Sequence, residues 1–211
     1  MKQSPPSGPA ELLEHLCVPA DALAKLEIYA ALLARWQKKI NLVGPSTIDD
    51  VWRRHFLDSA QLLAHLPETA TRPADIGSGA GFPGLVLAIL DATPDRQIHL
   101  IESDARKAAF LGEVNRETGA GAIIVNERAE ALTDLGADLV TARAVAPLTR
   151  LLPWVDAVSA AGATALLMKG KQWRDELTAA KKDWTMRVAE IASLTDASGI
   201  ILKLEGLTRI D

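Results

Sequence analysis

The chain has 211 residues, of which 48% are hydrophobic, and its formal net charge at pH 7 is −4. This length suffices for one domain with a full core and an appendage, while every apolar run falls short of the roughly 20 uncharged residues that span a membrane. The single cysteine, Cys17, excludes an internal disulfide and a thiolate metal cluster, and the four histidines lack metal-ligand spacing, so we predict no metal site.

The first part of the chain predicts a tail followed by a helical extension. Residues 1–10 are rich in proline and are predicted to be a flexible tail; they lack the apolar core of a secretory signal, so we expect a cytoplasmic protein. Apolar side chains recur at helical spacing after Asp21, a candidate N-cap. Thr47 begins a second amphipathic helix that should end before Pro67. Residues 11–72 are therefore expected to pack as an extension on the main domain.

From residue 73 onward the pattern changes to short apolar runs separated by helical stretches. This alternation is typical of an α/β fold with a doubly wound, mostly parallel sheet and helices on both faces. Seven runs predict a seven-stranded sheet, and residues 73–211 are expected to form the main domain. The predicted strands are 74–76, 98–102, 122–126, 138–142, 164–169, 187–193 and 200–205.

The most informative segment is the turn after the first predicted strand, Asp75-Ile76-Gly77-Ser78-Gly79-Ala80-Gly81-Phe82. Glycine tolerates positive φ and has no Cβ, so backbone in such a turn can press directly against a ligand. A dinucleotide-binding turn has its third glycine where this chain has Phe82. The Gly-x-Gly-x-Gly form instead resembles the first motif of S-adenosylmethionine-dependent methyltransferases, whose cofactor carries positive amino and sulfonium groups that suit the Asp75 carboxylate.

A second acidic residue supports a nucleoside-binding site. Glu102 ends the second predicted strand, about one βαβ unit after Gly77, where a carboxylate can accept two hydrogen bonds from a ribose diol. Both a methyltransferase cofactor and a dinucleotide need such a group. The residues that follow the strands are expected to converge at the carboxyl edge of the sheet: Gly77, Glu102, Glu130, Arg143 and Lys169.

Positive charge is concentrated in two segments of this acidic chain. Residues 35–54 and 169–187 each contain three more basic than acidic residues. Such segments form either a phosphate-binding rim or solvated helix faces, and the position of the second segment after the fifth strand favours the rim. Trp173 is the best candidate to stack on a base. The predicted RNA contacts are Arg54, Lys169 and Lys171.

Six short motifs together resemble a known family. In chain order they are Asn41-Leu42-Val43, Arg54-His55-Phe56-Leu57-Asp58-Ser59, Asp75 to Gly84, Arg128-Ala129-Glu130, Arg143-Ala144 and Met168-Lys169-Gly170. This combination resembles the bacterial small-subunit ribosomal RNA guanine-N7 methyltransferases, also called the glucose-inhibited division protein B family. The likeness extends from about residue 23 to the C-terminus. Its Arg-His-x-x-Asp-Ser and Gly-Phe-Pro-Gly segments are not general methyltransferase features.

The resemblance implies S-adenosyl-L-methionine as cofactor and 16S ribosomal RNA, or a small-subunit assembly intermediate, as partner of a monomeric enzyme. Carried over from that family, cofactor contacts would come from Gly77 and Phe82 in the turn, Ala129 and Glu130 after the third strand, and Arg143 after the fourth. Gly79 and Glu102, chosen from the turn and the strand spacing, complete the predicted cofactor site.

The available side chains favour methylation of a ring nitrogen. Methylation of a pyrimidine C5 needs a cysteine nucleophile, but Cys17 is far in sequence from the glycine turn. Methylation of an exocyclic amine commonly uses an Asp/Asn-Pro-Pro-aromatic segment, which is absent from Thr141 to Pro147. Guanine N7 has an in-plane lone pair and no proton, so it requires positioning but no general base, and no catalytic residue is assigned. Two alternatives stay open: a nicotinamide-dependent oxidoreductase and a non-catalytic RNA- or nucleotide-binding module.

Overall fold

A computed structural model of the chain describes residues 8–133 and 135–210. Most of the predicted flexible tail, residues 1–10, lies outside the described residues. The last two positions of that segment, Pro9 and Ala10, belong to helix α1 (Pro9–His15). Proline suits the first turn of a helix because the missing N–H has no partner there in any case.

The N-terminal extension continues with helix α2 (Ala20–Gln37). The predicted second helix is helical but irregular: a 3₁₀ segment (Pro45–Asp50), a π-helical segment (Trp52–Leu57), a short α3 (Asp58–Ala60) and a second 3₁₀ segment (Gln61–His65) follow one another. The π-helical segment buries three consecutive side chains, those of His55, Phe56 and Leu57, which a regular amphipathic helix would turn onto different faces.

The main domain contains one sheet of seven strands, as predicted. They are β1 (Pro73–Ile76), β2 (His99–Ile101), β3 (Ile123–Val125), β4 (Ala137–Arg143), β5 (Ser159–Lys169), β6 (Trp184–Ala192) and β7 (Ile200–Arg209). Their order in the sheet is β3-β2-β1-β4-β5-β7-β6. The first five strands pair in parallel, and β7 runs antiparallel to both of its neighbours. The strand order therefore reverses beside β1, where doubly wound sheets bind their ligands.

Helices cover both faces of the sheet and divide the core in two. Helices α4 (Gly84–Leu90) and α5 (Ala105–Thr118) share one core cluster with the N-terminal extension, while α6 (Leu148–Val158) and α7 (Trp173–Ala180) form the other. The extension is therefore continuous with the core of the main domain. Among the described residues, no helix is both long and apolar enough to cross a membrane.

Candidate active site

The glycine turn after β1 contains three glycines with positive φ, at Gly77 (+65°), Gly79 (+57°) and Gly81 (+92°). The reason that a side chain is absent differs among the three positions. A Cβ on Gly77 would lie 2.8 Å from a methyl group of Val145, and one on Gly81 would collide with the Tyr29 hydroxyl. A Cβ on Gly79 would meet only the Gly77 carbonyl oxygen, at 3.7 Å. Packing within the protein thus requires glycine at Gly77 and Gly81, whereas the backbone of Gly79 has open space beside it.

Asp75 supports this turn from beneath. Its side chain is fully buried, Oδ1 accepts a hydrogen bond from Thr141 Oγ1 at 2.7 Å, and Oδ2 accepts one from the Gly84 N–H at 3.2 Å. Burial raises the pKa of this carboxyl group to about 6, against the opposing effect of those hydrogen bonds. The carboxylate faces the protein interior and not the open side of the turn, where the sequence had suggested that it would meet a positive ligand.

Glu102 connects the glycine turn to the loop after β2. Its Oε2 atom accepts a hydrogen bond from the Gly79 N–H at 2.8 Å, and Oε1 accepts one from the Asp104 N–H at 2.7 Å. The residue is only 7% exposed, so its carboxylate is held in one position. Each carboxylate oxygen has a second lone pair, which leaves capacity for the hydrogen bonds that the sequence predicts from a ribose diol.

The two cofactor contacts predicted after the third strand lie at the same edge of the sheet. Ala129 and Glu130 form a single 3₁₀ turn after β3, with Ala129 buried and Glu130 exposed. Because β3, β2 and β1 are neighbours, this turn, Glu102 and the glycine turn follow three adjacent strand ends. The structure therefore brings together five of the seven predicted cofactor residues, namely Gly77, Gly79, Glu102, Ala129 and Glu130.

The side chain of Phe82 has a different environment from this group. It is 4% exposed and stacks between Tyr29, at a ring-centroid distance of 5.3 Å, and His55, at 4.9 Å. Its ring therefore joins the N-terminal extension to the main domain, so that only its backbone is available to a ligand at the turn. The Tyr29 hydroxyl also donates a hydrogen bond to the Ala80 carbonyl oxygen, and burial raises the pKa of Tyr29 well above its usual value, which keeps it a donor.

Arg143 likewise points to the N-terminal extension. Its Nη1 atom donates to the Arg54 carbonyl oxygen at 2.9 Å and to Asp58 Oδ2 at 3.0 Å, and its Nη2 atom donates to His55 Nδ1 at 2.7 Å. Asp58 therefore forms its ion pair with Arg143 and not with Arg54, which lies four residues before it in the chain.

The contact with Arg143 fixes the protonation of His55. A guanidinium cannot accept a hydrogen bond, so Nδ1 of His55 is the acceptor, and Nε2 carries the proton and donates to Thr47 Oγ1 at 2.8 Å. Burial, followed by the charges of Arg143 and Arg54, lowers the pKa of His55 to about 3. The imidazole is therefore a neutral structural element at physiological pH.

A cavity of about 550 Å³, which we call the β4–β5 cavity, opens beyond the carboxyl ends of these two strands. It adjoins the glycine turn, because Ala144 lines it while the next residue, Val145, packs against Gly77. All three predicted RNA contacts line this one cavity, although they come from two distant segments: Arg54, Lys169 and Lys171.

The three basic residues are not equivalent. The Lys169 side chain is 10% exposed, and its Nζ atom lies 2.6 Å from Glu176 Oε2 and donates to the Ala146 carbonyl oxygen at 2.9 Å. Arg54 is exposed and lies 3.7 Å from Asp196. Lys171 is exposed and makes no ion pair with any residue that the structure describes. Lys171 and Arg54 are thus better placed than Lys169 to meet a phosphate.

Trp173 does not offer a free face. The side chain is 5% exposed within the second core cluster, and the Arg174 guanidinium carbon lies 4.2 Å from the ring centroid. The expectation that Trp173 stacks on a base was therefore wrong. The alternation of side chains along β5 does not predict that Trp173, in the first turn of α7, is buried.

Two features of the cavity had no signal in the sequence. Glu176 lines it from α7, and residues 193–199, the loop between β6 and β7, close one side. The loop is held on the N-terminal extension, where Thr195 Oγ1 donates to Asp58 and the Leu194 N–H donates to Gln61 Oε1 at 2.9 Å. These partners are 137 and 133 residues apart in the chain, so only the folded structure reveals the contact.

The cavity lining contains no cysteine, and no cluster of three or more potential metal-ligating side chains occurs within residues 8–133 and 135–210. Its polar groups are instead carboxylates, basic side chains, hydroxyl groups, the neutral imidazole of His55 and the amide of Gln172. The arrangement suits a reaction that depends on binding and orienting a polar, anionic partner beside the glycine turn.

Comparison with known proteins places the chain in a family. Residues 22–201 match the family model described as rRNA small subunit methyltransferase G. A protein named ribosomal RNA small subunit methyltransferase G from Paramagnetospirillum magneticum is 50% identical over 202 residues, which are 96% of this chain and 97% of that protein. Its namesake from Rhodospirillum centenum is 54% identical over 187 residues, 89% of this chain and 85% of that protein.

Solved structures support the fold. A structure described as a SAM-dependent methyltransferase from Aquifex aeolicus superposes with a TM-score of 0.57 at 15% identity, covering 82% of this chain and 97% of that one. The α/β sheet described above is thus the fold of class I S-adenosylmethionine-dependent methyltransferases, as predicted.

Proposed function

Since the chain belongs to the rRNA small subunit methyltransferase G family, we propose that it transfers a methyl group from S-adenosyl-L-methionine to N7 of a guanine in 16S ribosomal RNA. In this proposal the cofactor occupies the edge formed by the ends of β1, β2 and β3, and the target base enters the β4–β5 cavity. The partner is 16S ribosomal RNA or a small-subunit assembly intermediate in the cytoplasm, and the enzyme acts as a monomer.

The observation that carries the proposal is the junction of the two sites. The backbone of Gly79 is open on the side that we assign to the cofactor, while Ala144 and Val145 connect the turn to the cavity, whose volume of about 550 Å³ is large enough for a nucleotide. A methyl group held at the turn is therefore close to a base held in the cavity. This proximity is what a direct transfer requires.

The residues at the cofactor edge fit S-adenosyl-L-methionine, which supplies an electrophilic methyl group on a sulfonium. In this proposal Glu102, whose carboxylate already holds the Gly79 N–H, accepts from the ribose hydroxyls. The 129–130 turn lines the adenine, and the backbone of the glycine turn follows the methionine portion. Arg143 acts indirectly, because its donors hold His55 and Asp58 at the wall of the cavity.

The transfer itself needs no proton movement on the protein. With S-adenosyl-L-methionine bound, the N7 lone pair would form the new N–CH₃ bond at the expense of the C–S bond, whose electron pair would stay on sulfur, and the positive charge would move to the base. The protein's part is to hold nucleophile, methyl group and sulfur in line and to stabilise the charge that develops on guanine. A neutral His55 is compatible with such a transfer, because the imidazole is not required to take up or release a proton.

RNA binding is assigned to the rim of the same cavity. Arg54 and Lys171 are exposed there and project from the two locally basic segments. Their phosphate contacts would let a chain of net charge −4 bind a polyanion through a local field.

The test uses a 16S RNA substrate in which 7-deazaguanine replaces the methylated guanine, once that position has been mapped. The analogue lacks the nucleophilic nitrogen but keeps the Watson–Crick edge and nearly the whole shape of the base. It should bind with unchanged affinity and accept no labelled methyl group from S-adenosyl-L-methionine. Methylation of the analogue at the normal rate would identify another acceptor atom and overturn the N7 assignment.

A further inference from the structure

We propose that Glu176 reads the donor edge of the target guanine, so that the base lies in the β4–β5 cavity with N7 toward the glycine turn. This inference rests on the proposed function, since it concerns the base that accepts the methyl group. Guanine carries N7 at one edge and the N1–H and 2-amino donors at the opposite side of the ring system. A site that selects guanine and leaves N7 free therefore needs an acceptor on the side away from the methyl donor.

Three carboxylates line the cavity, and two of them are already engaged. Asp58 accepts hydrogen bonds from Gln61 and Thr195 with Oδ1 and from Arg143 with Oδ2. Asp196 accepts from the Ser198 N–H and hydroxyl with Oδ1, at 2.9 and 2.8 Å, and its other oxygen lies 3.7 Å from an Arg54 nitrogen.

Glu176 is different because its two oxygens have separate roles. Oε2 accepts from the Leu148 N–H at 3.0 Å and lies 2.6 Å from Lys169 Nζ. Oε1 has no hydrogen-bond partner among the residues that the structure describes, although the Glu176 side chain is only 21% exposed. Two contacts on one oxygen therefore hold the carboxylate in place and leave the other oxygen free to accept from a ligand.

The distance between Glu176 and the glycine turn determines which edge of the base would face each of them. The strand order places β4 between β1, which leads to the glycine turn, and β5, which leads to Lys169. Neighbouring strands lie about 4.8 Å apart, so the ends of β1 and β5 are separated by about 10 Å. A purine spans this interval when N7 faces the turn and its Watson–Crick edge faces Lys169 and Glu176.

An ionised acceptor at this position contributes to catalysis as well as to selection. Methylation at N7 leaves a positive charge on the ring system and makes N1–H a stronger donor. A carboxylate that accepts from this edge therefore interacts more favourably with the transition state than with the substrate. Hydrogen bonds to a charged acceptor are also stronger than those to a neutral one.

The experiment compares two RNA substrates that carry guanosine or inosine at the methylated position. Inosine keeps N7 but lacks the 2-amino donor, so wild-type kcat/KM should be about 10- to 100-fold lower for the inosine substrate. In Glu176→Gln the amide oxygen should keep the contacts with Lys169 and Leu148, which places the amide NH₂ group where Oε1 stood. This variant should lose activity on guanosine RNA, and its preference for guanosine over inosine should fall to near unity.

The matched control is Asp175→Asn, which removes the same charge at the neighbouring exposed position outside the cavity. It should retain the wild-type preference and rate. Thermal unfolding and S-adenosylhomocysteine affinity, measured for both variants, report the integrity of the fold and of the cofactor site.

Each result has one interpretation. Equal wild-type rates on the two substrates would overturn the contact with the 2-amino group, whether or not the variants fold. A wild-type preference that Glu176→Gln retains would make Glu176 a structural cap of α6 only. Failure of the wild-type enzyme to methylate guanosine RNA at all would instead overturn the proposed function, and this inference with it.

Discussion

Replacing Gly79 by alanine should weaken cofactor binding while leaving the glycine turn in place. A Cβ at this position has room within the protein, since its single neighbour is the Gly77 carbonyl oxygen at 3.7 Å. The positive φ of +57° costs an L-residue about 1–2 kcal/mol, which lowers the free energy of unfolding by a similar amount. The added methyl group would occupy the space that we assign to the cofactor.

The expected loss of affinity follows from crowding a packed contact. Forcing one extra methyl group into a close contact typically costs about 1–3 kcal/mol, and each 1.4 kcal/mol is a factor of ten, so the dissociation constant should rise about 5- to 140-fold. Gly119 is the control, because it has a φ of +59° at the C-cap of α5 and an added Cβ would have no neighbour within 4 Å. Its alanine variant should pay the same conformational cost and keep wild-type affinity.

Calorimetric titration with S-adenosylhomocysteine, together with thermal unfolding of both variants, measures the two effects separately. Wild-type affinity in Gly79→Ala would show that no ligand approaches this backbone. An equal loss in Gly119→Ala would show that affinity follows overall stability and not a local contact. Gly77 is a poorer choice for this test, because its Cβ would first displace Val145.

Three further variants test the remaining assignments. Glu102→Gln should lower cofactor affinity about 10-fold or more without changing RNA affinity, because an amide cannot accept from two backbone N–H groups and a ribose at once. A parallel loss of both affinities would show that the carboxylate of Glu102 has a purely structural role. Lys171→Ala should flatten the slope of log RNA affinity against log salt concentration by about 0.7–0.9. The control Lys182→Ala, at another exposed lysine, should leave this slope unchanged. Identical slopes for Lys171→Ala and the wild type would show that the RNA binds elsewhere. The pKa of His55 is about 3 in the folded protein and 6.5 in an unfolded chain, so the unfolded state binds more protons between these two values. The contribution of His55 to the free energy of unfolding therefore decreases as the pH falls from 6.5 to 3. The raised pKa of Asp75 has the opposite effect, because there the folded state binds more protons. The free energy of unfolding of His55→Asn relative to wild type should therefore rise as urea titrations move from pH 6.5 to 4.5, by at most about 1.4 kcal/mol per pH unit, and a constant difference would contradict the lowered pKa.

Local regularities in the sequence determined the framework of this protein. Strands and helices are set by side-chain periodicity over a few residues, and a glycine-rich turn is set by the positive φ that only glycine adopts without strain. All seven strands and the mostly parallel character of the sheet were therefore predictable, although the antiparallel pairing of β7 with β5 and β6 was not. The order of the motifs also identified the family, since it needs no knowledge of contacts.

The tertiary structure decided which of these residues pack against the protein and which have open space beside them. Gly77 and Gly79 look alike in the sequence, but a Cβ on Gly77 would collide with Val145, whereas a Cβ on Gly79 would meet only the Gly77 carbonyl oxygen at 3.7 Å. Arg143 was expected at the cofactor, yet its guanidinium meets two N-terminal side chains 88 and 85 residues away.

The β4–β5 cavity has the same origin. Its walls come from the N-terminal extension, from β5 and α7, and from the loop at 193–199, which meet only when the core closes around the sheet. Burial also distinguishes residues of the same type: Lys169 is nearly buried and forms an ion pair with Glu176, whereas Lys171 is exposed. The physical reason is that a polar side chain pairs with whichever group lies nearby in the folded chain, and that an unpaired buried charge is costly. Neither the distance in the folded chain nor the degree of burial can be read from the spacing of residues along a short segment.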